Sequence, residues 1–238
     1  MQRTVIAPEG RIEYELVRTG RRDMEIRVLS GGNVRLFAPA RASLRAADGF
    51  VRAHAGWIES ARAAMREYAR AHEKAHPMRD GAPILLEGRP LTLRVTCPPP
   101  GAREGVEFTR DEARVYARDA APDSVRALLG KALAERARAR IGERLDHYVP
   151  LVGRAPGRVS IRDQKTRWGS CSSAHNVNFN WKLIMAPPEA LDYVVIHELC
   201  HLYEFNHSDR FWARVARYQS DWAVWKKWLK DNGRLLGV

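Results

Sequence analysis

The stretch that most constrains the fold of this chain runs from residue 187 to residue 207. Two prolines are followed by a largely apolar run at 190–196 and then by the motif H-E-x-x-H at 197–201. Proline is well tolerated in the first turn of a helix, so the stretch predicts a largely buried helix that carries the motif. On this helix His197 and His201 lie one turn apart on the same face, with Cβ atoms about 5–6 Å apart.

This spacing is typical of zinc metalloproteases, because two such imidazoles can converge on one cation at Zn–N distances of about 2.0–2.1 Å. Glu198 lies roughly 100° around the helix from His197, beside the ligands but not in line with them. Its carboxylate can therefore reach a metal-bound water and act as the general base. A buried glutamate with two histidines also needs a compensating partner, which a metal supplies. We predict that His197 and His201 bind Zn²⁺ and that Glu198 is catalytic.

The third ligand has two candidates, His207 and Glu204. His207 follows the expected helix end near Tyr203 and is favoured, because a returning chain can complete a tetrahedral site. Glu204 is the alternative, since residues 197, 201 and 204 share one helical face, although three ligands in a row suit a tetrahedral site poorly. Metzincins with the same spacing carry a glycine where this chain has Glu204.

The composition is that of a globular protein with an excess of positive charge. The 238 residues are 45% hydrophobic and 29% charged, enough for one sizeable core or two small ones. No stretch approaches the roughly 20 apolar residues of a membrane span, and charges occur throughout the first 19 residues, so we expect no membrane partner and no signal peptide. Three scattered cysteines without C-x-x-C argue against a disulfide framework and predict a cytoplasmic protein. The net charge of +12 predicts weak polyanion binding at most, because the basic residues are spread along the chain.

Residues 1–121 are expected to form a β-rich N-terminal part with one long helix. Alternating apolar and polar residues predict strands at 11–19, 24–29, 34–37, 84–86, 91–95, 106–108 and 113–116, with a turn at 30–33. The first three strands are expected to form an antiparallel meander and the last two a hairpin. Ser43 is expected to cap a helix that ends near residue 72. Its predicted buried side consists of Phe50, Val51, Trp57, Ile58 and Met65. No internal repeat is evident.

Residues 122–238 are expected to form the catalytic part. A helix at 123–148 carries an apolar stripe that predicts packing against the motif helix. Strands are predicted at 159–161 and 175–181, and the second of these is a candidate to bind an extended substrate by strand addition. Residues 165–173 fit no simple period and predict a tight turn. Two further helices follow Ser208.

Several linked motifs in this part resemble those of a known family. They are Arg167–Ser172, Asn180–Trp181, Asp192–Leu202, and Asn206–Ser208 with Phe211–Trp212. The chain thereby resembles the YgjP-like zinc-dependent metallopeptidase domains, which are related to SprT-like and gluzincin-type peptidases. The resemblance implies zinc ligands at His197, His201 and His207, with Glu198 catalytic. Together with the patterns above it predicts an α+β, zincin-like metallohydrolase with a motif helix, a backing helix and a small mixed sheet.

Three functions are compatible with these residues. The first is a zinc-dependent metallopeptidase that cleaves an exposed or unfolded chain. The second is a nucleoside triphosphate (UTP) pyrophosphatase on the same metal site, an activity also attributed to the resembled family, with arginines holding the phosphates. The third is a DNA-associated non-catalytic module, against which an intact Glu198 argues. Candidates for the second oxyanion donor and for substrate binding are Arg167, Asn180, Tyr193 and Tyr203.

Overall fold

The computed structural model describes residues 1–29 and 32–238, with the side chains of residues 65 and 67–75 left out. The turn predicted at 30–33 falls partly outside the described residues, and so does the side chain of Met65. Among the described residues, no helix combines the length and the apolar character that crossing a membrane requires.

The chain divides into two compact units, Met1–Lys74 and Ala75–Val238. Both contain helices and strands, so the predicted α+β class is confirmed. The strands are β1 (Gln2–Ala7), β2 (Gly10–Thr19), β3 (Glu25–Val28), β4 (Val34–Pro39), β5 (Pro83–Leu86), β6 (Arg89–Thr96), β7 (Gly105–Phe108), β8 (Glu112–Tyr116), β9 (Val159–Arg162), β10 (Gly169–Cys171) and β11 (Val177–Asn180). The helices are α1 (Leu44–Ala53), α2 (Ala55–Ala75), α3 (Pro122–Val152), α4 (Pro188–Cys200), α5 (Asp209–Tyr218) and α6 (Trp222–Asn232), with 3₁₀ helices at Trp181–Met185 and Gly233–Leu235.

The sheet of the first unit has the strand order β1-β2-β4-β3. Strand β4 runs parallel to β2 and antiparallel to β3, so the predicted antiparallel meander is wrong. Burial explains the difference: β4 alternates buried residues such as Val34 and Leu36 with half-buried ones, whereas β3 contains no buried residue and lies at the edge. The N-terminal strand β1 had no counterpart among the predicted strands.

The helix expected after Ser43 is two helices. The Ser43 hydroxyl accepts a hydrogen bond from the Ala46 amide at 3.1 Å, as an N-cap should. Helix α1 then ends at Ala53, with His54 as its C-cap, and α2 begins at Ala55. Val51 and Ile58 are buried as predicted, but the Trp57 side chain was assigned wrongly, because the residue is 52% exposed.

The first sheet of the second unit repeats this topology. Its order is β5-β6-β8-β7, again with two antiparallel outer pairs around a parallel central pair. The hairpin predicted from the last two strands is confirmed as β7–β8. The structure thus contains a repeat that is not evident in the sequence.

This second sheet and α3 share one hydrophobic core. Leu93 and Val115 on the strands lie in the same buried cluster as Leu129, Leu133 and Ile141 on the helix. The compact unit therefore begins at Ala75, before the boundary expected after residue 121. The predicted stripe of the long helix is the buried face of α3, which runs on to Val152.

Helix α4 is tied to α3 through Asp192. Arg144 Nε lies 2.6 Å from Asp192 Oδ1 and Arg144 Nη2 lies 2.8 Å from Oδ2, a bidentate pair. The Tyr148 hydroxyl donates to Asp192 Oδ2 at 3.0 Å. The carboxylate that interrupts the apolar run of the motif helix is therefore fully paired, and α3 is the backing helix that was predicted.

The start of α4 is held by the turn between β5 and β6. The amides of Glu87 and Gly88 donate to the carbonyls of Ile184 and Met185 at 2.7 and 3.1 Å. Gly88 adopts φ 75°, and a Cβ there would lie 2.9 Å from the Pro187 Cα atom. Glycine is required by the left-handed conformation and by this close approach.

Replacement of Gly88 by alanine should destabilise the fold more than the same change at Gly101. Gly101 has φ 81° but nothing within 4 Å of an added Cβ. Gly101→Ala should therefore cost only the strain of an alanine in the left-handed conformation, about 1–2 kcal/mol in the free energy of unfolding. Gly88→Ala adds overpacking against Pro187 and should lose about 2–4 kcal/mol in total. Urea unfolding measures both, and equal losses would show that the contact with Pro187 is unimportant.

Candidate metal centre

Three imidazoles converge where α4 ends. His197 lies in the last turn of α4, His201 follows it, and His207 returns from the loop before α5. His197 Nε2 lies 3.1 Å from His201 Nε2 and 3.1 Å from His207 Nε2. One nitrogen from each of the three residues lies within 4.8 Å of the others.

The three nitrogens cannot all be satisfied by hydrogen bonds to one another. A neutral imidazole nitrogen carries either one hydrogen or one lone pair, so His197 Nε2 can form only one good hydrogen bond with its two neighbours. A cation among the three would accept all the lone pairs at once. Four-coordinate zinc at about 2.0–2.1 Å from each nitrogen would separate its ligand nitrogens by about 3.3 Å, close to the observed spacing. The residues present therefore fit a zinc ion.

The hydrogen bond at the other side of His201 orients its ring. His201 Nδ1 lies 2.9 Å from the Glu204 carbonyl oxygen. A carbonyl only accepts, so Nδ1 carries the proton and Nε2 presents its lone pair to the centre. Glu204 thus contributes its backbone carbonyl, and among the described residues its carboxylate does not belong to the group that could hold a metal, His197, His201 and His207.

Burial favours the neutral form of the His197 and His201 imidazoles, which is the form that binds a metal. It lowers the pKa of His197 to about 3, with smaller contributions from His201, His207 and Lys226. Burial is also the main cause of the lowered pKa of His201.

The rings are packed by two aromatic residues of α5. Phe211 is fully buried and its ring centroid lies 4.4–4.9 Å from those of all three imidazoles. Trp212 stacks on His207 at 5.4 Å with an interplanar angle of 19°. The half-buried indole of Trp212 stacks in turn on Trp222 at 4.1 Å. The exposed imidazole of His207 is therefore held by ring packing, whereas His197 lies on α4 and His201 is held by the Glu204 carbonyl.

Glu198 has a buried carboxylate, and one of its oxygens lacks a hydrogen-bond partner among the described residues. The residue is 4% exposed, and its Oε2 atom has no hydrogen-bond partner among the described residues. Burial raises the pKa of Glu198 to about 8, and the positive charge of Arg167 opposes this rise. An unpaired buried carboxylate is costly, so the pocket is arranged for a cation and a polar ligand beside Oε2.

Gly169, the first residue of β10, makes room for this carboxylate. A Cβ at Gly169 would lie 2.5 Å from Glu198 Oε1 and 2.7 Å from Cγ. No side chain other than hydrogen fits without moving the glutamate. The prediction of a tight turn at 165–173 is therefore wrong in part, because Gly169 is the first residue of strand β10.

The four candidates for substrate binding occupy different places. Arg167 is exposed and its charge acts on Glu198. The Tyr193 hydroxyl lies 3.5 Å from His197 Nδ1, and burial raises the pKa of this phenol. Asn180 is buried, and its Nδ2 donates to the carbonyls of Gln164 and Arg167 at 2.7 and 3.2 Å.

The Tyr203 hydroxyl donates to the Val152 carbonyl at 3.1 Å, at the end of α3. The guanidinium groups of Arg154 and Arg214 lie 5.5 and 4.2 Å from its ring centroid. The structure thus brings Tyr193 to the three imidazoles and Arg167 close enough for its charge to act on Glu198. Asn180 instead bonds to the loop before β10, and Tyr203 bonds to the end of α3.

The strand expected to accept a substrate lies in the middle of its sheet. The third sheet has the order β10-β11-β9, so β11 is flanked on both sides. The strand with an open edge near Glu198 is β10, which contains Gly169. Strand addition beside the centre is therefore possible at β10 and not at the segment predicted from sequence.

One family model matches the chain. It describes YgjP-like metallopeptidase domains and covers residues 22–232, nearly the whole chain. The chain belongs to this family. The resemblance noted in the sequence is thereby confirmed, and the family supports a metal-dependent hydrolase. No curated protein matches the chain.

Sequence reasoning missed three contributors to the centre. Gly169 was treated as part of a turn, although glycine before a strand-like alternation is a signal of close approach. Phe211 was placed on a helix, but its packing against the three imidazoles was not predicted. Asp192 carried the clearest signal, since an acid inside an apolar helical run needs a buried partner.

Removal of the third imidazole should release the metal, whereas removal of the nearby carboxylate should not. His207→Ala leaves two histidine ligands and should lose bound zinc at stoichiometric concentrations. Glu204→Ala keeps the carbonyl that orients His201 and should retain one zinc per chain. Metal analysis after dialysis distinguishes them, and zinc loss in Glu204→Ala alone would assign the third ligand to the carboxylate.

Gly169→Ala should displace Glu198 while leaving the three imidazoles in place. We expect retained zinc but a loss of about 1–3 kcal/mol in the free energy of unfolding, because the buried glutamate must move. Gly105→Ala is the matched control, a strand glycine with nothing within 4 Å of an added Cβ. Urea unfolding and metal analysis test this, and unchanged stability in Gly169→Ala would contradict the described contact.

Proposed function

We propose that this chain is a zinc-dependent metallopeptidase with a zincin-like active site. The observation that carries the proposal is the convergence of three imidazoles beside a buried carboxylate whose Oε2 has no hydrogen-bond partner among the described residues. Membership of the family supports metal-dependent hydrolysis. A cytoplasmic location belongs to the proposal and agrees with three free cysteines.

His197, His201 and His207 would hold the metal. When bound, zinc would lower the pKa of a water ligand and polarise the scissile carbonyl. The Glu204 carbonyl and Phe211 hold the rings in position, so the protein supplies a preorganised donor set.

Glu198 moves the proton in this proposal. Its free Oε2 accepts a proton from the attacking water, and the same atom later gives it to the leaving amine. Burial raises the pKa of Glu198, which favours a carboxyl that can hold the proton between these two steps. Gly169 keeps the carboxylate in the position from which this transfer is possible.

The substrate backbone is proposed to pair with the open edge of β10. This strand is terminal in its sheet and packs against α4. Arg167 leads into β10 and is the preferred donor to the developing oxyanion, because its charge already acts on the pocket. Tyr193 is the alternative donor. Asn180 is proposed to position the loop that carries Arg167.

Nucleotide pyrophosphate hydrolysis is the second candidate, and the charges near the centre favour it. Arg167 acts on Glu198 from one side, and Lys226 on α6 acts on His197 from another. The Lys226 Nζ atom lies 4.2 Å from the Trp212 ring centroid. Two cations on separate elements beside one metal suit a di- or triphosphate.

Glu198→Gln should retain zinc and lose turnover by a factor of about 10²–10⁴, because the amide cannot accept the proton. The assay compares casein and UTP as substrates for wild type and variant, each with and without a chelator. Chelator-sensitive cleavage of casein that the variant loses supports the peptidase. The same pattern with UTP alone would replace it by the pyrophosphatase, and full activity of the variant would refute the proposed role of Glu198.

A further inference from the structure

A groove lies between α3 and the terminal strand β9, apart from the three imidazoles. Its lining residues are Arg138, Ile141, Gly142 and Leu145 on α3 and Val159, Ser160 and Ile161 on β9. Its volume of about 470 Å³ is within the range of ligand-binding pockets. Ile141 and Leu145 make an apolar floor, and nothing lies within 4 Å of a Cβ placed on Gly142.

The β9 side of the groove is an open strand edge. Among the described strands, β9 pairs only with β11, in parallel. The Arg158 carbonyl accepts from the Val177 amide, so the backbone groups of residues 158, 160 and 162 face β11. By the alternation of a strand, the N–H and C=O groups of Val159 and Ile161 point away from β11, toward the unpaired edge of the sheet. Val159 is 38% exposed.

The groove is also positively charged. Arg138 on its helix wall and Arg158 at the start of the strand are exposed, and neither has an acidic partner in the part of the chain that the structure describes. Arg162, at the other end of β9, donates to an amide oxygen and keeps its charge uncompensated by an acid among the described residues. One guanidinium group thus lines the short apolar trough, and two more lie at the two ends of the strand that borders it.

We propose that this groove binds an extended acidic peptide segment of a partner protein, which adds a fourth strand to the sheet beside β9. Its main chain would pair with the free groups of Val159 and Ile161, as in other cases of strand addition. Alternate side chains would point to Ile141 and Leu145. Acidic side chains on the outer face would meet Arg138 and Arg158.

The shape of the groove selects a peptide over a nucleic acid. A single-stranded nucleic acid needs aromatic side chains on which its bases stack, and no aromatic residue lines the groove among the described residues. An open row of backbone donors and acceptors over an aliphatic floor is instead complementary to another strand.

This peptide site is separate from the metal centre. Strand β9 is at one edge of the three-stranded sheet and β10, which contains Gly169, is at the other. Binding in the groove therefore requires neither zinc nor Glu198. A protein bound here would be held while another of its segments reaches the active site.

The test uses a fluorescent eight-residue peptide in which Glu and Val alternate, with fluorescence anisotropy of the full chain at low salt. Wild type should bind with equal affinity with and without a chelator. Val159→Pro should weaken binding about tenfold, because it removes the outward N–H and blocks pairing. The fold should persist, since this N–H is not bonded to β11. Val159→Ala keeps the N–H and is its matched control.

Two further variants address the helix wall. Gly142→Trp fills the open space and should also weaken binding about tenfold, whereas Gly142→Ala should not. Arg138→Glu should weaken binding, whereas Lys131→Glu, two turns away on the same face of α3, should leave it unchanged.

The outcomes either support the peptide site or remove it. Loss of binding confined to the three groove variants, together with weak binding of a Lys–Val peptide, supports it. No binding to wild type, equal binding by all variants, or retention of a single-stranded oligonucleotide in place of the peptide would overturn it. Peptide binding in the groove should not change when a chelator is added. Its failure can therefore be distinguished from failure of the proposed hydrolase.

Discussion

The metal centre depends on a repulsive arrangement of lone pairs. His197 Nε2 lies 3.1 Å from both His201 Nε2 and His207 Nε2, and hydrogen bonds among the three nitrogens cannot satisfy them all. Such an arrangement persists only when each ring is held from behind. The Glu204 carbonyl holds His201, the backbone of α4 holds His197, and the stack on Trp212 holds His207. The affinity for a cation is therefore prepared by the fold before any ion binds.

The arrangement of the three imidazoles depends on the position of α4. The Arg144–Asp192 pair fixes its middle against α3, and the turn at Glu87 and Gly88 fixes its first residues. Because an unpaired Asp192 inside an apolar helix would be costly, the pair also selects one rotation of α4 about its axis. That rotation places the histidines toward α5 and the glutamate toward Gly169. Function and packing are thus set by opposite faces of one helix.

The three-stranded sheet links the two proposed peptide sites. One terminal strand, β10, lies against Glu198, and the other, β9, borders a basic groove on α3. Short sheets with two open edges are uncommon in isolation, since open edges invite pairing. Here each edge lies beside a surface with its own chemistry. A bound protein could engage both edges at different points of its chain.

The sequence determined the elements whose signal is local. Helical spacing placed His197, His201 and Glu198 around one helix, and the apolar stripe of α3 identified the face that packs against it. Only the tertiary structure decided the parallel pairing of β2 with β4, the edge position of β10, and the approach of Gly169 to Glu198. It also placed the backbone carbonyl of Glu204, the alternative third ligand, where it orients the His201 ring. The reason is physical: periodicity is a property of neighbouring residues, whereas strand order and close approach follow from which distant surfaces are buried together.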